Sequence, residues 1–309
     1  MQKDLLSLHE LTGEDINRIL DRSAALKQMH RQGVAHQPLK GKCLGMIFEK
    51  SSTRTRVSFE VGIYQLGGSA LFLSSRDLQL GRGETIADTA QVLSRYIDGI
   101  VIRTFKQSDV EELAAVAEIP VINGLTDLLH PCQTLADLFT VKERLGSFDN
   151  LKVAYIGDGN NMANSWLYGA AKLGIELAVA CPPGYEPDAG VVDKAIEDSR
   201  GTGAKIVITG DPVEAVQGAR VISTDVWASM GQEGEAEKRR RDFKRYQVNA
   251  DLTRHADSDY LFMHCLPAHR GEEVTAEILD GPHSIVLDEA ENRLHTQKAV
   301  MELLMGEKK

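Results

Sequence analysis

The chain has 309 residues, 42% of them hydrophobic and 26% charged, ordinary globular proportions that exclude a disordered, collagen-like or coiled-coil protein. Lys and Arg number 35 against 45 Asp and Glu, and the net charge of −10 argues against any general attraction to nucleic acid or an anionic membrane. At roughly 150 residues per domain the length fits two domains.

The opening MQKDLLSLHELTGED is acidic within its first turns and lacks an apolar run, so we expect neither a signal nor a transit peptide. No stretch approaches the ~20 apolar residues of a membrane helix. Cys43, Cys132, Cys181 and Cys265 are widely spaced and form no CxxC pair. That spacing fits a reduced, cytoplasmic setting and no structural metal.

Along the chain, short β-branched or apolar runs alternate with amphipathic segments, the pattern of βα units around a parallel sheet. The fold class is therefore α/β. In the first half, strands are expected at Cys43–Phe48, Ala70–Leu73, Gly99–Ile102 and Pro120–Asn123, and Ile86, Ala90, Leu93 and Ile97 carry the spacing of a buried helix face. The segment Pro131 to Leu145, with Leu135, Leu138 and Phe139 on one side, reads as a helix joining two domains, with the boundary near Gly146 to Asn150. The second half restarts with strands at Leu151–Ile156, Ile175–Ala180, Lys205–Ile208, Arg220–Thr224, Tyr260–His264 and Ser284–Leu287, which makes two sheets the simpler reading.

Between the Cys43–Phe48 strand and a helix carrying Phe59, Ile63 and Leu66 stands Glu49-Lys50-Ser51-Ser52-Thr53-Arg54-Thr55-Arg56. Hydroxyls and guanidinium groups at a helix N-terminus match phosphate oxygens, because the free N–H groups and the dipole there already favour an anion. The ordinary alternative is a capped helix with exposed arginines. Arg103 follows Gly99–Ile102 and so stands at the carboxyl edge of a strand, where open α/β sheets bind ligands. His130 and Gln133 flank Pro131 and Cys132 at a helix start, able to face one ligand.

At Gly157-Asp158-Gly159-Asn160-Asn161-Met162 a glycine turn approaches the dinucleotide fingerprint, but Met162 replaces the third glycine and no acidic residue follows the next strand. Asn161 remains a candidate polar contact. Asp225 ends a strand and precedes Val226-Trp227-Ala228-Ser229-Met230-Gly231, a carboxylate suited to an ammonium group. Met263-His264-Cys265-Leu266-Pro267 sets a cysteine directly after a strand, although a buried inert thiol is the usual role of a single Cys.

Together, Ser52-Thr53-Arg54-Thr55-Arg56, Arg103, His130-Pro131-Cys132-Gln133 and His264-Cys265-Leu266-Pro267 resemble, in order and at similar separations over essentially the whole chain, the aspartate/ornithine carbamoyltransferase family. Asp225 with Ser229-Met230-Gly231, Cys265 after His264, and the run Asp77 to Glu84 resemble its ornithine branch, whereas the aspartate branch is expected to show His-Pro-Leu-Pro.

The resemblance implies two three-layer α/β domains, each with a mostly parallel sheet, joined by interdomain helices: a carbamoyl-phosphate-binding domain at 1–146, an ornithine-binding domain at 147–292, and a C-terminal helix at 293–309 returning to the first domain. It implies carbamoyl phosphate on Ser52, Thr53, Arg54, Thr55, Arg103, His130, Pro131, Cys132 and Gln133, with Gln79 reaching a neighbouring subunit's site. Cys265, Leu266 and Arg293 would complete that floor. Ornithine would fall to Asn161, Asp225, Ser229 and Met230, and the catalytic groups would be Arg54, Arg103, His130 and Cys265. A homotrimer with shared sites, small-molecule substrates and no cofactor complete what the resemblance implies.

The implied reaction makes citrulline and phosphate from carbamoyl phosphate and L-ornithine. Arginine keeps its proton at working pH, so Arg54 and Arg103 are expected to act as fixed charges. An alkylammonium titrates near ~10.4, so the site must select or create the neutral δ-amine; the Cys265 thiolate or His264 is the expected neighbour of that nitrogen. Other readings are carbamoyl transfer to putrescine, acetylornithine or aspartate, a nicotinamide-dependent oxidoreductase suggested by Gly157-Asp158-Gly159, and a non-enzymatic anion-binding module.

Overall fold

The protein is described from a computed structural model over residues 2–74, 83–229, 231 and 233–306. The chain divides into two compact units, residues 1–139 with 291–309, and 140–290. The first holds α1 (Gly13–Arg31), β1 (Cys43–Phe48), α2 (Thr53–Gln65), β2 (Ser69–Ser74), α3 (Ile86–Leu93), β3 (Gly99–Arg103), α4 (Gln107–Val116) and β4 (Val121–Leu125). Helix α5 (Pro131–Leu145) carries the chain into the second unit, which holds β5 (Lys152–Ile156), α6 (Asn161–Leu173), β6 (Glu176–Ala180), α7 (Ala189–Ser199), β7 (Lys205–Thr209), α8 (Pro212–Val216) and β8 (Val221–Thr224). There follow α9 (Ala236–Asp242), α10 (Ala250–Thr253), β9 (Leu261–His264), α11 (Ala276–Leu279) and α12 (Val286–Met305), the last of which ends in the first unit.

Among the described residues the first unit has a parallel sheet in the order β2-β1-β3-β4, and the second a parallel sheet in the order β7-β6-β5-β8-β9. Both orders reverse direction once, between β1 and β3 and between β5 and β8. At such a switch point the loops leaving the two strands turn to opposite faces and open a crevice at the carboxyl ends. Ser52 follows β1 and Arg103 ends β3; Asn160 follows β5 and Asp225 follows β8. Chain topology therefore sets Ser52, Arg103 and Asp225, singled out above, at the switch points of the two sheets, with Asn160 beside Asp225.

The strand expected at Cys43–Phe48 forms with those ends, and the other three of the first unit form with ends shifted by one or two residues. Ile86 and Leu93 pack beside the buried cluster that contains Ala90 and Ile97, although α3 stops at Leu93 and Ile97 lies in the turn beyond it. The expected strand at Ser284–Leu287 does not form. Ser284 makes a single bridge to Phe262, and α12 begins two residues later. Asp288 and Glu289 occupy the first turn of that helix, where its dipole favours acids, so the helix starts well before Arg293, where it was expected.

The glycine turn after β5 is closed by the protein's own backbone. Gly157 has φ +135, and a Cβ on Gly159 would stand 2.2 Å from Pro187 N and 2.6 Å from Tyr185 O. The Gly159 N–H donates to the Tyr185 carbonyl at 2.8 Å. Loop backbone thus occupies the approach that a pyrophosphate would need, which is the physical reason the dinucleotide reading fails. Gly159→Ala should lower unfolding stability by about 3 kcal/mol, read by urea denaturation. Gly210→Ala, in open space, should change it by less than about 0.5 kcal/mol.

Candidate functional site

In the first unit, Ser52 caps α2 from an extended backbone, its hydroxyl accepting the Thr55 N–H at 3.1 Å. That cap leaves the Thr55 side chain facing inward and buried. Its hydroxyl accepts from Arg293 Nη2 at 3.0 Å and from Arg103 Nη1 at 3.4 Å. Arg293 also donates to Gln133 Oε1, and Gln133 Nε2 donates to Asp137 Oδ1 at 2.8 Å, which fixes the orientation of the amide. Arg103 and Arg293 are only 5% and 3% exposed, so two permanent cations are held in a poorly solvated place.

His130 records the field they make. Burial, then the charges of Arg293, Arg103 and Arg54, hold its imidazole well below the usual histidine range. It is neutral at pH 7 and able to donate from one ring nitrogen, next to guanidinium groups at a helix N-terminus. An anion completes this arrangement electrostatically.

Other residues of the two motifs have different tasks. Arg56 pairs with Glu60 at 3.0 Å and lies 3.7 Å from the centre of the Phe72 ring, so it serves the surface of α2. Thr53 is exposed and Arg54 half-buried. Pro131 opens α5, while the Cys132 thiol donates to the Asn123 carbonyl at 3.3 Å and burial pushes its pKa up to about 12. Cys132 is therefore a neutral structural thiol, and only its backbone can serve a ligand. Lys50, missed by sequence reasoning as a fixed group, is buried, paired with Asp127 and 4.5 Å from the centre of the Phe105 ring, bracing the loop between β1 and α2.

In the second unit, Asn160 caps α6: its Oδ1 accepts from Met162 N at 2.9 Å and Tyr155 Oη at 3.1 Å. Its Nδ2 donates to Asp225 Oδ2 at 2.9 Å. The neighbour of Asp225 is thus Asn160, one residue before the Asn161 singled out above, and Asn161 is the first helical residue. The signal was the position before the helix, where Asn is a preferred cap. Asp225 Oδ1 accepts from Val226 N at 2.8 Å and from Cys265 Sγ at 3.1 Å.

In that contact the Cys265 thiol donates to the carboxylate. His264 is held on both ring nitrogens. Its Nδ1 accepts from Leu266 N at 2.9 Å and its Nε2 faces Glu273 Oε1 at 3.2 Å, so both ring nitrogens are engaged and it orients the turn. Leu266 takes a left-handed backbone, φ +57, held by that bond. Glu273, fully buried nine residues beyond His264, has no motif signal and was missed.

Arg239 Nη1 donates to Asp158 at 2.8 Å and to the Trp227 carbonyl at 2.7 Å, tying the turn after β5 to the turn after β8. Burial lifts the Asp158 carboxyl to about 6, against the pull of Arg239. Ser229 is half-buried. Gln79 and Met230 lie outside the described residues.

The depressed His130 pKa gives a stability test. Unfolded histidine titrates near ~6.5. Below that pH the unfolded chain takes up a proton that folded His130 refuses, so stability should fall by about 1.4 kcal/mol per pH unit until the folded pKa is reached. The contribution is fully present above ~6.5. On acidification below ~6.5 the wild type should lose more stability than His130→Asn in urea denaturation; parallel losses would contradict a buried neutral His130.

Comparison with known proteins matches a family domain to each half of the chain. The carbamoyl-P binding domain of aspartate/ornithine carbamoyltransferases matches residues 3–143, and their Asp/Orn binding domain matches residues 149–304. An ornithine carbamoyltransferase of Syntrophus aciditrophicus is 59% identical over 305 residues, 99% of this chain and 100% of that one. One from Oceanobacillus iheyensis is 60% identical over 305 residues, 99% and 95% of the two chains. The solved ornithine carbamoyltransferase of Pyrococcus furiosus superposes with a TM-score of 0.96 at 56% identity, covering 99% of this chain and 98% of that one. The chain belongs to the aspartate/ornithine carbamoyltransferase family.

Proposed function

We propose that this chain transfers the carbamoyl group of carbamoyl phosphate to the δ-amine of L-ornithine, giving L-citrulline and phosphate. The observation that carries this reading is the convergence of Arg103 and Arg293 on the buried Thr55 hydroxyl, with neutral His130 in their field. The phosphate takes the cations and the α2 N-terminus. His130 donates a hydrogen bond to the carbamoyl oxygen, and Gln133, its amide turned by Asp137 and Arg293, stands in the same motif.

In the attack the δ-nitrogen forms a bond to the carbamoyl carbon and negative charge grows on the carbonyl oxygen. The bond to phosphate oxygen then breaks, and the proton lost from nitrogen passes to the departing phosphate. Arg54, Arg103 and His130 meet the charge where it develops, and groups aimed in advance are worth most because they need not reorganise. Ornithine falls to the second unit. Asp225, held by Asn160 and Cys265, presents a fixed carboxylate to an ammonium group, and Asn161, Ser229 and Met230 are assigned to the same substrate.

The same reading makes the protein a homotrimer, with Gln79 serving a neighbouring subunit. Val57, Tyr64 and Leu71, on α2 and the edge strand β2, are 49%, 76% and 46% exposed, an apolar surface that a second copy would cover. It also puts the protein in the cytoplasm, in arginine synthesis by way of citrulline. None of its four cysteines is in a disulfide, and no described helix is long and apolar enough to cross a membrane.

The test is citrulline formation from carbamoyl phosphate with L-ornithine, L-aspartate, putrescine and N-acetyl-L-ornithine run side by side. Turnover is expected with ornithine alone, and Arg54→Ala should lower kcat by at least about 100-fold. Turnover with another amine would keep the first half-site and overturn the reading of Asp225. No turnover with any amine, alongside tight phosphate binding, would leave an anion-binding module.

A further inference from the structure

The loop that leaves β9 folds back on one buried acid. Glu273 is fully buried, and its Oε1 accepts from the backbone N–H of His269 and faces His264 Nε2. Its second oxygen, Oε2, is buried without a hydrogen-bond partner. A carboxylate oxygen in that condition is costly unless a cation or donor meets it. The group aimed at it is His269 Nδ1 at 3.7 Å, too far for a hydrogen bond, on a side chain 54% exposed to solvent. Glu272 brings a second carboxylate, and one ligand atom from each of the three residues lies within 4.8 Å of the others.

These separations suit two or three ligands around one metal ion. Nitrogen and oxygen donors about 2.1 Å from zinc at a tetrahedral angle stand about 3.4 Å apart, close to the gap between His269 and Glu273. One imidazole with two carboxylates is a donor set for zinc, cobalt or nickel, in preference to calcium or magnesium. We propose that His269, Glu272 and Glu273 form a transition-metal dication site, open to water on the His269 side. Glu273 serves both neighbours at once: Oε1 keeps His264 in place while Oε2 takes the metal. Glu272 already pairs with Arg240 at 2.8 Å, but that pair is solvent-exposed and yields readily to a dication.

A second grouping, Asp225, His264 and Cys265, is the competitor. It is the poorer one, because both nitrogens of His264 are engaged by Leu266 N and Glu273. The full-length protein titrated with cobalt(II) chloride, followed by calorimetry and visible absorption, separates the two. One equivalent should bind with no thiolate charge-transfer band. Its affinity should fall at least about tenfold in His269→Ala and stay unchanged in Cys265→Ser. A further equivalent that vanishes only in Cys265→Ser belongs to the competitor and leaves the assignment standing. Absence of binding, full binding in His269→Ala, or a single site lost in Cys265→Ser with a thiolate band in the wild type would each overturn it.

Discussion

Everything in the first unit depends on cations crowded around one hydroxyl. Arg103 and Arg293 are almost wholly withdrawn from water, and both donate to Thr55 Oγ1. Like charges in a poorly solvated place repel, and a neutral hydroxyl compensates only in part. Burial and the charges of Arg293, Arg103 and Arg54 hold the His130 imidazole well below the usual histidine range, so it adds no charge of its own beside them. Arg293 comes from α12, so the last long helix of the chain supplies one of the two cations that meet at Thr55.

The second unit holds one carboxylate in a fixed orientation. Asp225 is held by the Asn160 amide, its neighbour's N–H and the Cys265 thiol. Cys265 is itself placed by a turn whose left-handed Leu266 is fixed by His264, which Glu273 faces from behind. Arg239 adds a tie from Asp158 to Trp227 that joins the two strand-end turns. Fixed dipoles of this kind orient a substrate at little entropic penalty when it binds.

The legible parts were those with a local signal. Alternating apolar runs marked the strands, and the hydroxyl cluster marked the capped start of α2 because a Ser side chain there accepts a free helix N–H. The resemblance carried Arg293, whose place beside Thr55 is a contact across 238 positions that no pattern in the chain predicts. Three things were illegible for the same reason: which ring nitrogen of His264 was engaged, which of two adjacent asparagines turned to Asp225, and what lay behind the HCLP turn. Each is set by a tertiary partner. Ser284–Leu287 was misread because its apolar run, Ile285 to Leu287, is too short to carry a period that separates a strand from a helix start.

The central claim is that the Thr55 hydroxyl organises the guanidinium groups into an anion site. Its most direct measurement is calorimetric titration of the wild type and Thr55→Val with carbamoyl phosphate, no amine present, with far-ultraviolet circular dichroism showing both proteins folded. Valine keeps the shape and removes the acceptor, so Arg103 and Arg293 lose their common anchor, and affinity should fall at least about tenfold. Equal affinity in the two proteins would contradict the account.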